Sequence, residues 1–269
     1  MNRIETTFQN LKATNRSALV TFIMAGDPDL ESAARVLQSL PEAGADLIEI
    51  GMPFTDPAAD GLTIQRAGQR ALKAGANMHT TLQMVQDFRV NNDHTPIILM
   101  GYANPLYAYG LEKFAGDAKK AGVDGLIIVD LPPEEDAELR LHADAQGLDI
   151  IRLITPTTDE NRLKTVLEGA SGFLYYVSIT GVTGTAKANL DVMRPHIDLI
   201  KTKSDLPIAI GFGIKTPNDA QEMCALGDAV VVGSSIVDKI KDIGDNSGDL
   251  EGVTTFVRSL SEVLGARPS

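Results

Sequence analysis

The sequence predicts an α/β protein in which eight strand–helix units close into a (β/α)8 barrel. Two observations predict it. Short apolar runs rich in Val, Ile and Leu recur along all 269 residues, and amphipathic stretches alternate with them. Eight such units also fit the ~250 residues usual for this architecture.

The apolar runs are residues 19–24, 46–51, 96–100, 125–129, 149–154, 173–178, 207–212 and 229–233. Each is too short for a typical helix and is nearly continuous in hydrophobicity, the pattern of a parallel strand buried on both faces. Between them, residues 31–43, 80–90, 111–121, 134–145, 161–168 and 218–225 are spaced as amphipathic helices. A further helix starts near Leu62. Strand alternating with helix implies right-handed crossovers. Residues 1–14 read as an additional N-terminal helix and 251–264 as the closing one. Residues 242–249, with their Gly, Asp, Asn and Ser, read as a loop. No linker-like composition divides the chain, so the expectation is one TIM barrel domain over residues 1–269.

A faint repeat accompanies the rhythm. Ala43-Gly44-Ala45-Asp46, Ala121-Gly122-Val123-Asp124 and Leu226-Gly227-Asp228 each precede an apolar run. Each reads as a helix ending at a glycine cap with a strand following at once.

Composition narrows the function. The chain carries 24 Lys and Arg against 36 Asp and Glu, a net charge of −12. That balance argues against a nucleic-acid binder, which needs a basic face. It leaves room for an anionic substrate, because backbone N–H groups bind phosphate without lysine. The one cysteine, Cys224, forms no internal disulfide and reads as a small buried hydrophobe. There is neither an apolar leader nor an apolar run approaching ~20 residues, so no membrane span is expected and the default location is cytoplasmic.

Barrel sites lie at the C-terminal ends of the strands. Glu49 is the one charge inside the run Leu47-Ile48-Glu49-Ile50-Gly51. Strand alternation puts Ile48 and Ile50 on one face and Leu47, Glu49 and Gly51 on the other. With the β-branched pair against helices, Glu49 points into the barrel, where desolvation raises its pKa into the range of general acid–base work. The competing reading is a structural glutamate paired with a buried donor. In the following loop, Asp60 either reaches over the barrel mouth to accept a substrate N–H or, like Asp56, caps a turn or helix. Asp130, ahead of Pro132 and Pro133, has the same two readings.

Three glycine-rich turns follow the last three strands: Gly181-Val182-Thr183-Gly184, Gly211-Phe212-Gly213 and Gly233-Ser234-Ser235. Glycine lets backbone N–H groups approach a ligand, and Ser234 and Ser235 open a helix whose N-terminus is partly positive. A phosphate fits there; three ordinary turns are the plainer reading. His79, His94, His142 and His196 all fall outside the strands, so no metal site is expected. Lys187 and Lys215 lie in loops, which disfavours a Schiff-base lysine. The residues point to acid–base chemistry on a phosphate-bearing substrate without metal or cofactor.

The motif running from Leu47 through Met52-Pro53-Phe54-Thr55-Asp56-Pro57-Ala58-Ala59-Asp60-Gly61 is long and specific. With Gly101-Tyr102-Ala103-Asn104-Pro105, Gly181–Gly184, Gly211–Ile214 and Gly233–Val237, the chain resembles the tryptophan synthase alpha-subunit family over nearly its full length. The resemblance implies retro-aldol cleavage of indole-3-glycerol phosphate to indole and glyceraldehyde 3-phosphate. It makes Glu49 the acid–base group that protonates the indole ring carbon, Asp60 the acceptor of the indole N–H, and Tyr175 a supporting residue. Periodicity alone does not choose between Tyr175 and Tyr176. Phosphate contacts map to Gly184, Gly213, Gly233 and Ser234, with Thr183 in the same turn. Phe22, Met100, Ile127, Ile154 and Phe212 are candidates for the indole pocket, or equally for barrel core.

The resemblance also implies an alpha2beta2 complex in which a beta subunit holds pyridoxal phosphate and consumes the indole, so this chain needs no cofactor. The loop with Pro53 and Asp56 then lies at the interface, and residues 181–189 form a lid. Two departures bear on partner coupling and the lid: Leu62 stands where relatives commonly have proline, and Ser178-Ile179-Thr180 where some have an arginine and alanine. A free indole-releasing lyase, a different phosphate-binding barrel such as a sugar-phosphate isomerase, and a non-catalytic phosphate-binding subunit are the alternatives.

Overall fold

A computed structural model of the chain describes residues 2–177, 190–211, 213–243 and 249–265. Its strands are β1 (Ala18–Met24), β2 (Leu47–Gly51), β3 (Ile97–Gly101), β4 (Gly125–Ile128), β5 (Asp149–Ile150), β6 (Arg152–Ile154), β7 (Leu174–Val177), β8 (Ile208–Gly211) and β9 (Ala229–Val232). Every pairing is parallel, in the order β5-β4-β3-β2-β1-β9-β8-β7-β6. The first and last strands therefore pair, and the two ends of the order meet at Ile151. This is the (β/α)8 barrel, with its fifth strand divided. β5 pairs with β4 and β6 with β7. Ile151 N–H still donates to Leu126 O at 3.0 Å, and above it the strand passes to its other neighbour.

The helices are α1 (Arg3–Ala13), α2 (Leu30–Ala43), α3 (Leu62–Lys73), α4 (Met78–Arg89), α5 (Ala103–Tyr109), α6 (Leu111–Ala121), α7 (Ala137–Gln146), α8 (Glu160–Leu167), α9 (Leu190–Lys203), α10 (Pro217–Cys224), α11 (Ser234–Ile240) and α12 (Glu251–Val263). α1 closes the N-terminal end of the barrel. Its Ile4 and Phe8 pack into the interior cluster with Val20, Leu47, Ile98 and Phe173. The Phe8 and Phe173 rings lie 5.9 Å apart. Outside the barrel a larger core joins Ile48, Ile50, Leu99 and Leu126 to the helices. Among the described residues, no helix is long and apolar enough to cross a membrane.

The sequence repeat has a structural meaning beyond its glycines. Asp46, Asp124 and Asp228 each precede a strand, and each carboxylate accepts the backbone N–H that starts the neighbouring strand. The donors are Leu19 at 2.8 Å, Ile97 at 2.8 Å and Ile208 at 2.9 Å. Gly44 and Gly122 end α2 and α6 in the left-handed conformation, as the repeat predicts. The third copy departs from that expectation. α10 ends at Cys224 with Ala225 as its C-cap, and Gly227 has no positive φ. Gly227 serves close packing instead, since a Cβ there would lie 2.8 Å from Ile208 O.

Candidate active site

Glu49 faces the barrel interior. Leu47 belongs to the interior cluster, whereas Ile48 and Ile50 pack against the helices. In register, Glu49 lies between Phe22 of β1 and Ile98 of β3. It is 1% exposed, and among the described residues neither carboxyl oxygen has a hydrogen-bond partner. Among the described residues, no donor stands where the reading as a paired structural glutamate needs one. Burial alone pushes the carboxyl up to about 8. At neutral pH it holds its proton and is an acid.

Tyr175 also turns inward, within the interior cluster. Burial, and then the charge on Glu49, push its hydroxyl well above the usual tyrosine range. It stays a protonated donor beside the carboxyl. Tyr176 turns outward, where its hydroxyl lies 3.1 Å from His196 Nδ1. The structure thus separates the two tyrosines. Gly211 makes the space for Tyr175, because a Cβ there would sit 2.7 Å from the hydroxyl and 2.6 Å from the ring. Gly51 does the same for the Phe22 ring, at 2.6 Å.

Phe22 packs with Met24, with Ala67 and Ala71 of α3, and with Val237 of α11. Met100 bridges that group and the interior cluster, which also contains Ile127. Ile154 requires a correction as a pocket candidate. It is fully buried in the outer core, and the inward positions of its strand are Ile151 and Leu153. The division at Ile151 preserves alternation, so Ile154 falls on the helix face. Val129 and Leu153 are pocket-facing neighbours that the sequence reading passed over. Both also border a cavity of about 340 Å³ beside the ends of β4 and β6. Alternation of their runs was the available signal.

Asp60 lies in the loop before α3 and is half-buried. The N-cap of α3 is Gly61, with no side-chain cap bond, so neither Asp56 nor Asp60 caps that helix. Asp56 takes the Thr55 hydroxyl instead. Burial raises the Asp60 pKa, and the Tyr102 hydroxyl pulls it back down. Asp130 proves to be a cap. Its Oδ1 accepts Ala103 N–H at 2.8 Å, at the start of α5. Leu62 is the first residue of α3, a position that suits proline because its N–H has no helical partner.

Two glycine turns meet over the last strands. Gly213 takes φ +63°, and among the described residues nothing stands within 4 Å of where a Cβ would be. Gly233 is the N-cap of α11 and makes no side-chain cap bond. Ser235 joins the two turns by donating to Ile214 O at 2.7 Å, while Ser234 beside it is half-buried. Thr183, Gly184, Phe212, Lys187 and the expected lid over 181–189 lie outside the described residues.

A closed parallel barrel with a lone buried carboxyl inside one strand and glycine turns beyond the ends of its last strands has the architecture of a barrel enzyme. The chain belongs to the tryptophan synthase alpha chain family, whose model matches residues 8–264. Similar solved structures include tryptophan synthase subunit alpha from Legionella pneumophila strain Paris, 38% identical over 98% of both chains with a TM-score of 0.91. A chain from Aquifex aeolicus is 34% identical over 100% of both, with a TM-score of 0.90. Mycobacterium tuberculosis tryptophan synthase is 31% identical over 98% of both, with a TM-score of 0.88. The protein is a lyase of tryptophan biosynthesis that cleaves indole-3-glycerol phosphate.

Proposed function

We propose that Glu49 is the proton donor of this cleavage. The single observation that carries the reading is its buried, unpartnered carboxyl with a pKa near 8. The acid gives its proton to the ring carbon that bears the glycerol chain. Positive charge moves to the ring nitrogen, whose N–H the Asp60 carboxylate accepts. The carbon–carbon bond then breaks, its electrons returning to the ring as indole. The adjoining hydroxyl becomes the aldehyde of glyceraldehyde 3-phosphate and returns its proton to Glu49. Tyr175 holds the side of the pocket next to Glu49. Gly213, Gly233 and Ser234, with Gly184 and Thr183, cradle the phosphate, and Phe22, Met100, Ile127 and Phe212 surround the ring.

Residues 1–269 act as one domain. The chain works with a tryptophan synthase beta subunit in an alpha2beta2 complex, through the loop that carries Pro53 and Asp56. Family membership supports this pairing. Indole passes to the beta subunit, which alone carries pyridoxal phosphate. The complex is cytoplasmic. The test is indole release from indole-3-glycerol phosphate by the purified chain, with and without the beta subunit. Slow release that rises sharply on adding the partner is expected. Fast release by the chain alone would identify a free lyase, and no release with phosphate binding intact would mark a binding subunit.

A further inference from the structure

We propose that Tyr102 is the positioning residue for Asp60, its hydroxyl clamping the 53–61 loop so that the Asp60 carboxylate keeps one orientation at the barrel mouth. The proposal rests on reading Asp60 as the acceptor of the ring N–H.

Tyr102 follows β3 directly and is 4% exposed. Its hydroxyl accepts the Ala59 N–H at 3.0 Å. That contact fixes the backbone one residue before Asp60 and leaves the hydroxyl hydrogen free to turn to the Asp60 carboxylate, where it favours the charged form. Burial and the neighbouring Asp60 charge push the hydroxyl above the usual tyrosine range, so it remains a donor. The Tyr102 ring is held in turn by Phe54, at the start of the same loop, with ring centroids 5.3 Å apart. Its backbone is held from behind, because Asp130 pins the Ala103 N–H. A second tether comes from α3, whose Gln65 side chain donates to Asp60 O at 3.0 Å. One hydroxyl thus ties a rigid strand end to the main chain of the loop and stands within reach of the Asp60 carboxyl. A purely packing aromatic would need the ring and not the hydroxyl.

The test is Tyr102→Phe, which keeps the ring, together with Asp60→Asn and the double variant. The readouts are steady-state cleavage and a carbon NMR titration of the labelled Asp60 carboxyl. Tyr102→Phe is expected to lower kcat by about tenfold or more, with KM held within about threefold, because a hydrogen bond to a charged group is lost. The Asp60 carboxyl should titrate at higher pH in that variant. In the Asp60→Asn background, Tyr102→Phe should have no further effect on kcat. An unmoved titration, or the same loss in both backgrounds, would overturn the proposal. Full activity in Asp60→Asn would overturn the reading of Asp60 itself. The two failures are told apart by the titration, which reads the Tyr102 contact without any turnover.

Discussion

Glu49, the proposed proton donor, draws its high pKa from burial, with no hydrogen-bond partner among the described residues. Glu49→Gln should reduce cleavage by on the order of 10²–10⁴-fold while leaving substrate affinity near that of the native protein. Normal turnover in that variant would refute the assignment. The same burial has a cost that pH exposes. The carboxyl ionises at about 8 in the folded chain against 4.5 for the free side chain. The folded state therefore keeps a proton that the unfolded chain gives up, and stability falls as pH rises between those values. Glu49→Gln removes that loss, so its thermal midpoint should gain on the wild type from about pH 5 and level off above about pH 8. A constant difference would show that Glu49 is not held neutral. Glu49 was legible because a lone charge in an apolar strand has few explanations. Asp60 was singled out only through the family resemblance, because from its own surroundings an aspartate in a proline-rich loop reads better as a cap. Tyr102 was visible only as part of the motif Gly101–Pro105, with no role attached, since its proposed value lies in what its hydroxyl touches.

At the level of elements, strand positions followed from apolar runs because strands buried on both faces carry almost nothing else. The end residues differed by one or two where side chains cap or turn. α5 was missed as a helix because it has only seven residues, contains Pro105 and lies against Gly110. α9 carries Pro195 within it, which blurs its periodicity. The division of the fifth strand left no mark in its composition, and it decided the side on which Ile154 falls. The repeated aspartates were visible as a pattern, but not as ties between neighbouring strands. Asp124 also bonds Arg3 and Arg89 besides the Ile97 N–H. Asp124→Ala should destabilise the fold by roughly 3–5 kcal/mol, because it leaves Arg89 partly buried without its carboxylate. Urea unfolding measures this, and a loss under about 1 kcal/mol would contradict the account. Gly211→Ala should cost roughly 1–3 kcal/mol by overpacking and should slow cleavage, because the added methyl displaces Tyr175.

Across the whole molecule, stability and chemistry occupy opposite ends of the barrel. α1 closes the N-terminal end with Ile4 and Phe8, while Asp60 and the turns at Gly213 and Gly233 lie beyond the C-terminal ends of β2, β8 and β9, with Glu49 inside β2. Phe8→Ala should therefore lower stability by roughly 3–5 kcal/mol and leave KM unchanged. An altered KM would show that the two ends are coupled. The measurement that tests the central claim most directly is the pH dependence of kcat/KM for indole release from indole-3-glycerol phosphate, which reports the ionisation of the free enzyme, from the wild type and from Glu49→Gln side by side. The account predicts a wild-type kcat/KM that falls as pH rises through about 8, the value at which Glu49 loses its proton, and a variant kcat/KM that is low throughout. A wild-type kcat/KM that holds level or rises across that pH, or a variant that follows the wild type, would contradict it.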